Sequence, residues 1–302
     1  MTCICQQHYD EAHPIRDSFA TVRQNCPALR EVLLPDTAWQ LASKRMDELS
    51  DPSKHRSYLL LAYEHGVLAK ITAPIHRFLL IDAHPHNNFT KQYRKDLQER
   101  WIIESDPTKR HERYRRFFGK LVELLVCQTL TEREWTVTGL EALGACADII
   151  AVSPENMANS LSVKYIGQST YDFEQNLSTL VGGPTIGVGS PYDAINYLLF
   201  RIYEAAYQLQ NFSTPKIAII VIDAMTWHVF EEPLESQWVC WTQPAFCRGS
   251  CNWDNFLQKQ YGRYPTIRRD LSDIVRTLNR IFVFEMNSQY EFVLKHDEQL
   301  GV

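Results

Sequence analysis

Apolar residues recur at helical spacing in Thr37–Leu49 and again in Arg56–Lys70, so residues 1–108 read as mostly helical. Ile75–Ile81 is a short apolar run that gives way to the loop-like Asp82-Ala-His-Pro-His-Asn-Asn, and Ser105-Asp-Pro-Thr is a turn leading into a new helix. That helix, Lys109–Leu130, is basic in its first half and apolar in its second. The period then changes. Trp135–Leu140 alternates as a strand does, Ala147–Val152 is a second strand and Ser160–Ile166 a third, with Ser153–Asn159 as a hairpin-like connection. Asp172–Leu180 predicts a helix and the glycine-rich 182–189 a loop. Ser190 caps, and Pro191 opens, a firm helix to Gln210 with Ile195, Leu198, Leu199, Ile202 and Leu209 on one stripe. Lys216–Ile222 is a buried strand, Leu271–Arg280 a helix and Ile281–Phe284 a final strand.

This order predicts an α/β core, a mixed central sheet flanked by helices, behind a mostly helical N-terminal elaboration. The domain organisation expected is 1–108 as a helical region for recognition or dimerisation and 109–302 as the core with C-terminal reading elements. A chain of 302 residues that is 45% hydrophobic and 22% charged has the material for a sizeable core. Its 31 Lys and Arg against 36 Asp and Glu give a net charge of −5, which excludes a uniformly basic coat but not a local basic groove. No apolar run reaches the roughly 18–20 residues of a membrane span. The first sixteen residues carry Asp10, Glu11 and two His without an apolar stretch, so a cytoplasmic protein with mostly reduced cysteines is expected.

The sharpest chemical signal lies between Gly119 and Lys164. A helix bears Gly119-Lys-Leu-Val-Glu123, a strand starts with Asp148, and the next carries Ser162-Val-Lys164, where alternation puts Ser162 and Lys164 on one face. Phosphodiester hydrolysis needs a divalent cation held by carboxylates, and a neighbouring Lys can orient the attacking water or neutralise charge growing on phosphorus. Over about residues 113–225, in the order and spacing of these elements, the chain resembles the PD-(D/E)xK nucleases of restriction-endonuclease-like fold. The resemblance implies a Mg2+ site (Mn2+ able to substitute) in which Asp148 and Glu123 are ligands, Lys164 is catalytic and Ser162 holds the position of the usual acid. Ala147 replaces the proline before the Asp. Ser162 cannot supply an anionic ligand, and some type II restriction enzymes with a Ser-x-Lys strand take that carboxylate from the following helix, which makes Glu174 the candidate, with Asp172 behind it. The same resemblance implies a type II restriction endonuclease acting on double-stranded DNA. Palindromic targets would favour a homodimer. Two rivals share the fold: a defence or repair nuclease gated by a partner, and an inactive DNA-binding module.

Basic residues supply the expected DNA contacts. Lys109–Lys120 holds six Lys or Arg and one Glu, and Arg113, Arg115, Arg116 and Lys120 would track phosphates into the site. Arg268 and Arg269 belong to a second basic cluster near Asn and Gln residues suited to reading bases. Cys240, Cys247 and Cys251 lack the spacing of a zinc pair, so no structural zinc is expected. The glycines of 182–189 lack the Lys-Ser/Thr ending of a phosphate loop, which excludes that class of NTPase. Asp223, at the end of a strand, reads as structural, and Cys127 and Cys146 as core residues.

Overall fold

Lys216-Ile-Ala-Ile-Ile-Val-Ile-Asp223 is apolar at six successive positions, a pattern that suits only a strand covered on both faces. It is such a strand in the computed structural model, which describes residues 12–40, 66–81, 94, 97, 107–140, 147–167, 191–224, 226–227, 231 and 274–300, with 12–18, 107–115, 191–197, 199 and 200 described in backbone only. Two units divide the chain, 1–128 with 169–185 and 129–168 with 186–302.

In the first unit, helix α1 (Ala12–Asn25) is followed by a π-helical stretch, Ala28–Leu33. Helix α2 (Leu68–His76) runs into a second such stretch, Arg77–Ile81. The helix expected over Arg56–Lys70 is therefore not continuous. Gly66 sits at φ 70, in the left-handed region where glycine carries no steric penalty, and α2 starts only after it. Arg23 is buried and held at two points: its Nε donates to the Leu34 carbonyl at 2.7 Å and its Nη2 to Asp36 at 2.7 Å, with its guanidinium 5.5 Å from the Trp39 ring centre. The helix expected at Thr37–Leu49 lies mostly outside the described residues. Helix α3 (Pro107–Glu132) contains the whole of the expected Lys109–Leu130, and its second half buries Leu121, Val122, Leu124 and Cys127.

The second unit is built on a six-stranded mixed sheet whose spatial order follows the chain: β1 (Thr136–Leu140), β2 (Ile149–Val152), β3 (Ala158–Ile166), β4 (Lys216–Asp223), β5 (Arg280–Met286) and β6 (Phe292–Gln299). Strands β1 to β3 form an antiparallel meander, β3 to β5 run parallel, and β6 returns antiparallel. The β2–β3 turn places Asn156 at φ 63, a conformation Asn tolerates, and closes with the Ser153 N–H on the Met157 carbonyl at 2.9 Å.

Helix α4 (Pro191–Leu209) supplies the crossover between β3 and β4. Its Leu198, Ile202, Ala205, Ala206 and Leu209 recur at helical spacing and pack against Ile166, Ala218, Ile220 and Ile222 of the sheet. The two alanines let the helix approach the strands closely. The predicted helix Leu271–Arg280 departs from the structure at its end, where Ile274 and Val275 are helical, a turn follows, and Arg280 already opens β5. Nor is Ile281–Phe284 the final strand, because β6 follows it. Among the described residues, no helix is long and apolar enough to cross a membrane.

Candidate functional site

Strand β2 runs antiparallel to β3 with Ile149 opposite Leu161, so the residue that opens β2 meets the second half of β3. Asp148 comes immediately before that residue in the chain. Its own N–H donates to the Leu161 carbonyl at 3.0 Å, which pins the backbone, and its side chain turns onto the segment Ser162–Lys164. Oδ2 accepts the Val163 N–H at 2.7 Å and the Ser162 hydroxyl at 3.0 Å, and lies 3.8 Å from Lys164 Nζ. Asp148 is 8% exposed and Ser162 not at all, and the buried carboxylate is both hydrogen-bonded and paired, as a buried charge requires. Three residues singled out from the sequence, Asp148, Ser162 and Lys164, are thus brought together.

A fourth member was not anticipated. Gln208, near the C-terminal end of α4, donates from Nε2 to Asp148 Oδ1 at 2.8 Å, while its Oε1 accepts Lys164 Nζ at 2.5 Å and lies 2.8 Å from the Ser162 hydroxyl oxygen. The partners fix which way the amide points. An ammonium only donates and a carboxylate only accepts, so oxygen must face Lys164 and nitrogen Asp148. The single Ser162 proton faces two acceptors and serves one of them at a time. The sequence did carry a signal: Arg201, Glu204 and Gln208 recur at i, i+3 and i+7 beside the apolar stripe of α4. Arg201 pairs with Glu204 at 2.6 Å and donates to the Tyr165 carbonyl at 3.3 Å, so this polar line lies along the end of β3.

On the other side of Lys164, the Tyr165 hydroxyl donates to Asp223 Oδ2 at 3.0 Å. Burial, reinforced by the Asp223 charge, pushes the Tyr165 phenol well above its ordinary range. Asp223 Oδ1 accepts both the N–H and the hydroxyl of Thr226, at 2.7 and 2.6 Å, as a capping residue does.

Glu123 belongs to the first unit, on α3, where Lys120 Nζ reaches both its oxygens at 3.0 Å. Lys120 is therefore engaged with its own helix. Cys127, one turn on, is wholly buried, and burial together with the Glu123 charge raises its thiol well above the usual value. Arg116 is exposed, and Arg113 and Arg115 lie on the same helix, in the stretch described in backbone only. Glu174, Arg268, Arg269, Cys146, Cys240, Cys247 and Cys251 lie outside the described residues.

Among the described residues no three His, Cys, Asp or Glu side chains converge as a protein-made metal cage would require. A Mg2+ ion that keeps most of its own waters needs only one or two carboxylates, and Asp148 is a carboxylate that could provide one if its present donors gave way. No family model matches the chain, and neither the curated proteins nor the solved structures contain a significant match.

Proposed function

We propose that this chain is a Mg2+-dependent, sequence-specific endonuclease of double-stranded DNA, a type II restriction enzyme working as a homodimer. The observation that supports this reading best is the meeting of Asp148 with Lys164 across adjoining strands of a mixed sheet, the carboxylate and ammonium 3.8 Å apart and both mostly withdrawn from water. Mg2+, with Mn2+ able to substitute, would supply Lewis acidity and an activated water when bound. Asp148 would hold it, with Glu123 and Glu174 as further candidate ligands. The part played by the chain itself is electrostatic. In a site this buried, the Lys164 ammonium opposes the negative charge that develops on the phosphoryl oxygens far more strongly than it would in water. Ser162, neutral and buried, orients Asp148. The arginines of α3, with Arg268 and Arg269, would contact the DNA.

Digestion of a sequenced plasmid with Mg2+ tests the reading. Discrete fragments support it, whereas smearing or dependence on an activator favours a defence or repair nuclease of the same fold. Asp148→Ala and Lys164→Ala should each remove cleavage while DNA affinity in Ca2+ stays close to that of the unaltered protein, since both residues act on the reaction and not on the bases. One observation favours a second reading, an inactive DNA-binding module: Ser162 stands where an acid would be, and Asp148 is already neutralised by Lys164 and its hydrogen bonds. Sequence-selective binding with no cleavage in Mg2+ or Mn2+ would establish that alternative.

A further inference from the structure

The bridge made by Gln208 resolves what Ser162 leaves unexplained. An aspartate or glutamate at position 162 would bring a second negative charge beside Asp148, and a serine brings none. The space is filled by the amide of Gln208, whose Oε1 lies 2.8 Å from the Ser162 oxygen and 2.5 Å from Lys164 Nζ. The small Ser162 side chain, completely buried, is what gives an amide arriving from α4 room to enter. The ammonium already pairs with Asp148 Oδ2 at 3.8 Å, and without that amide it could close to hydrogen-bonding distance, which would fix Asp148 and Lys164 on each other. With it, the nearest partner of Lys164 is a neutral oxygen, which leaves more of the ammonium's charge for a substrate phosphate than a close ion pair would.

We propose that Gln208 is a positioning residue for phosphodiester hydrolysis, holding the Lys164 ammonium and the Asp148 carboxylate at a fixed separation and standing, with Ser162, in place of the acid this strand lacks. The proposal rests on the nuclease reading and is tested in a way that separates the two.

The first arm compares the unaltered protein with Gln208→Met, which keeps the length of the side chain and removes both donor and acceptor. Single-turnover cleavage should fall about 10–100-fold, as it does when partners of site residues are removed. DNA affinity in Ca2+ should change little by comparison, whereas the midpoint of urea unfolding should fall with the two bonds lost, so cleavage is compared without denaturant, where both proteins are folded. Cleavage by Gln208→Met at close to the unaltered rate would overturn the role of Gln208 while leaving the nuclease reading intact.

The second arm needs no activity. Mn2+ is titrated by electron paramagnetic resonance into the unaltered protein, Gln208→Glu and Gln208→Glu combined with Asp148→Asn. Gln208→Glu sets a carboxylate against Asp148 and should tighten Mn2+ binding by about tenfold or more, and the added Asp148→Asn change should cancel the gain. An unchanged affinity for Gln208→Glu would mean that position 208 does not face Asp148, which overturns the proposal. If the unaltered protein cleaves no DNA, the nuclease reading fails, and this arm alone decides whether the bridge exists.

Discussion

The hydrogen bonds around Asp148 have a polarity that can be reversed in one place and restored in another. Asp148→Asn replaces one carboxylate oxygen by an NH2 group. Turned towards Oδ1, that group meets Gln208 Nε2; turned towards Oδ2, it meets the Val163 N–H, each a donor. Gln208 cannot invert to relieve the first clash, because its oxygen is held by Lys164. One charge-assisted bond is therefore lost in every rotamer, at about 1.5–3 kcal/mol. Lys164 also loses its counter-charge, so the total comes to about 3 kcal/mol after allowance for screening. Gln208→Glu alone sets two carboxylates against each other and should cost about 2 kcal/mol. Combined, the two changes fit. The new amide at 148 donates to one oxygen of the new carboxylate at 208, the other oxygen takes Lys164, and the remaining oxygen at 148 still accepts Val163. The double variant should lie within about 1 kcal/mol of the unaltered protein, a coupling of roughly 4 kcal/mol and well outside ordinary additivity. Urea unfolding in EDTA, with the slope unchanged between variants, measures it. Effects that add to within about 0.5 kcal/mol would refute the ring of contacts on which the site has been built.

Three further outcomes follow from other residues. Tyr165→Phe should cost about 1–2 kcal/mol at neutral pH through the donor lost to Asp223. Because burial raises this phenol, its contribution is complete below about pH 10 and disappears as pH climbs through the folded-state value. The stability gap between the two proteins should therefore narrow in alkaline urea titrations, and a gap that widens would contradict the assignment. Cys127, buried and held in its thiol form, should react with iodoacetamide only at the rate of unfolding, so fast labelling of Cys127 in a peptide map of the native protein would be evidence against its burial. Replacing Arg113, Arg115 and Arg116 by Ala should weaken binding to all DNA sequences alike and reduce the salt slope by up to about 3, and an unaltered salt series would assign these residues to solvent.

Which elements were legible in the sequence follows from how each is buried. Strand β4 could be read because both its faces are covered, and α3 and α4 because their apolar stripes keep one period over several turns. Strand β6 escaped because it is an edge strand: Phe292-Val-Leu-Lys-His-Asp-Glu-Gln shows neither an apolar run nor clean alternation, and its burial is only partial. The turn before it hides the hairpin as well. Tyr290 takes the left-handed position, φ 59, where glycine or asparagine would announce a turn, and Asn287 Oδ1 stabilises the loop by accepting the N–H groups of Gln289 and Glu291. Asp148 and Lys164 could be found because a charge inside an apolar strand stands out. Gln208 could not be found that way, since a glutamine late in a helix is an ordinary surface residue until the fold sets it against β3.

The sheet is laid down in chain order, yet its strands are far from evenly spaced in the sequence. The meander β1–β3 and the hairpin β5–β6 close through short connections, whereas β3 and β4 are each followed by some fifty residues before the next strand among the described residues. Because β3, β4 and β5 are parallel, both stretches leave from the same end of the sheet, the end where Asp148 enters β2 and Lys164 nears the end of β3. Lengthening such an insertion adds little to the entropy of closing it, since that penalty grows only with the logarithm of its length. A change of length in either stretch therefore need not disturb the sheet that sets Asp148 beside Lys164.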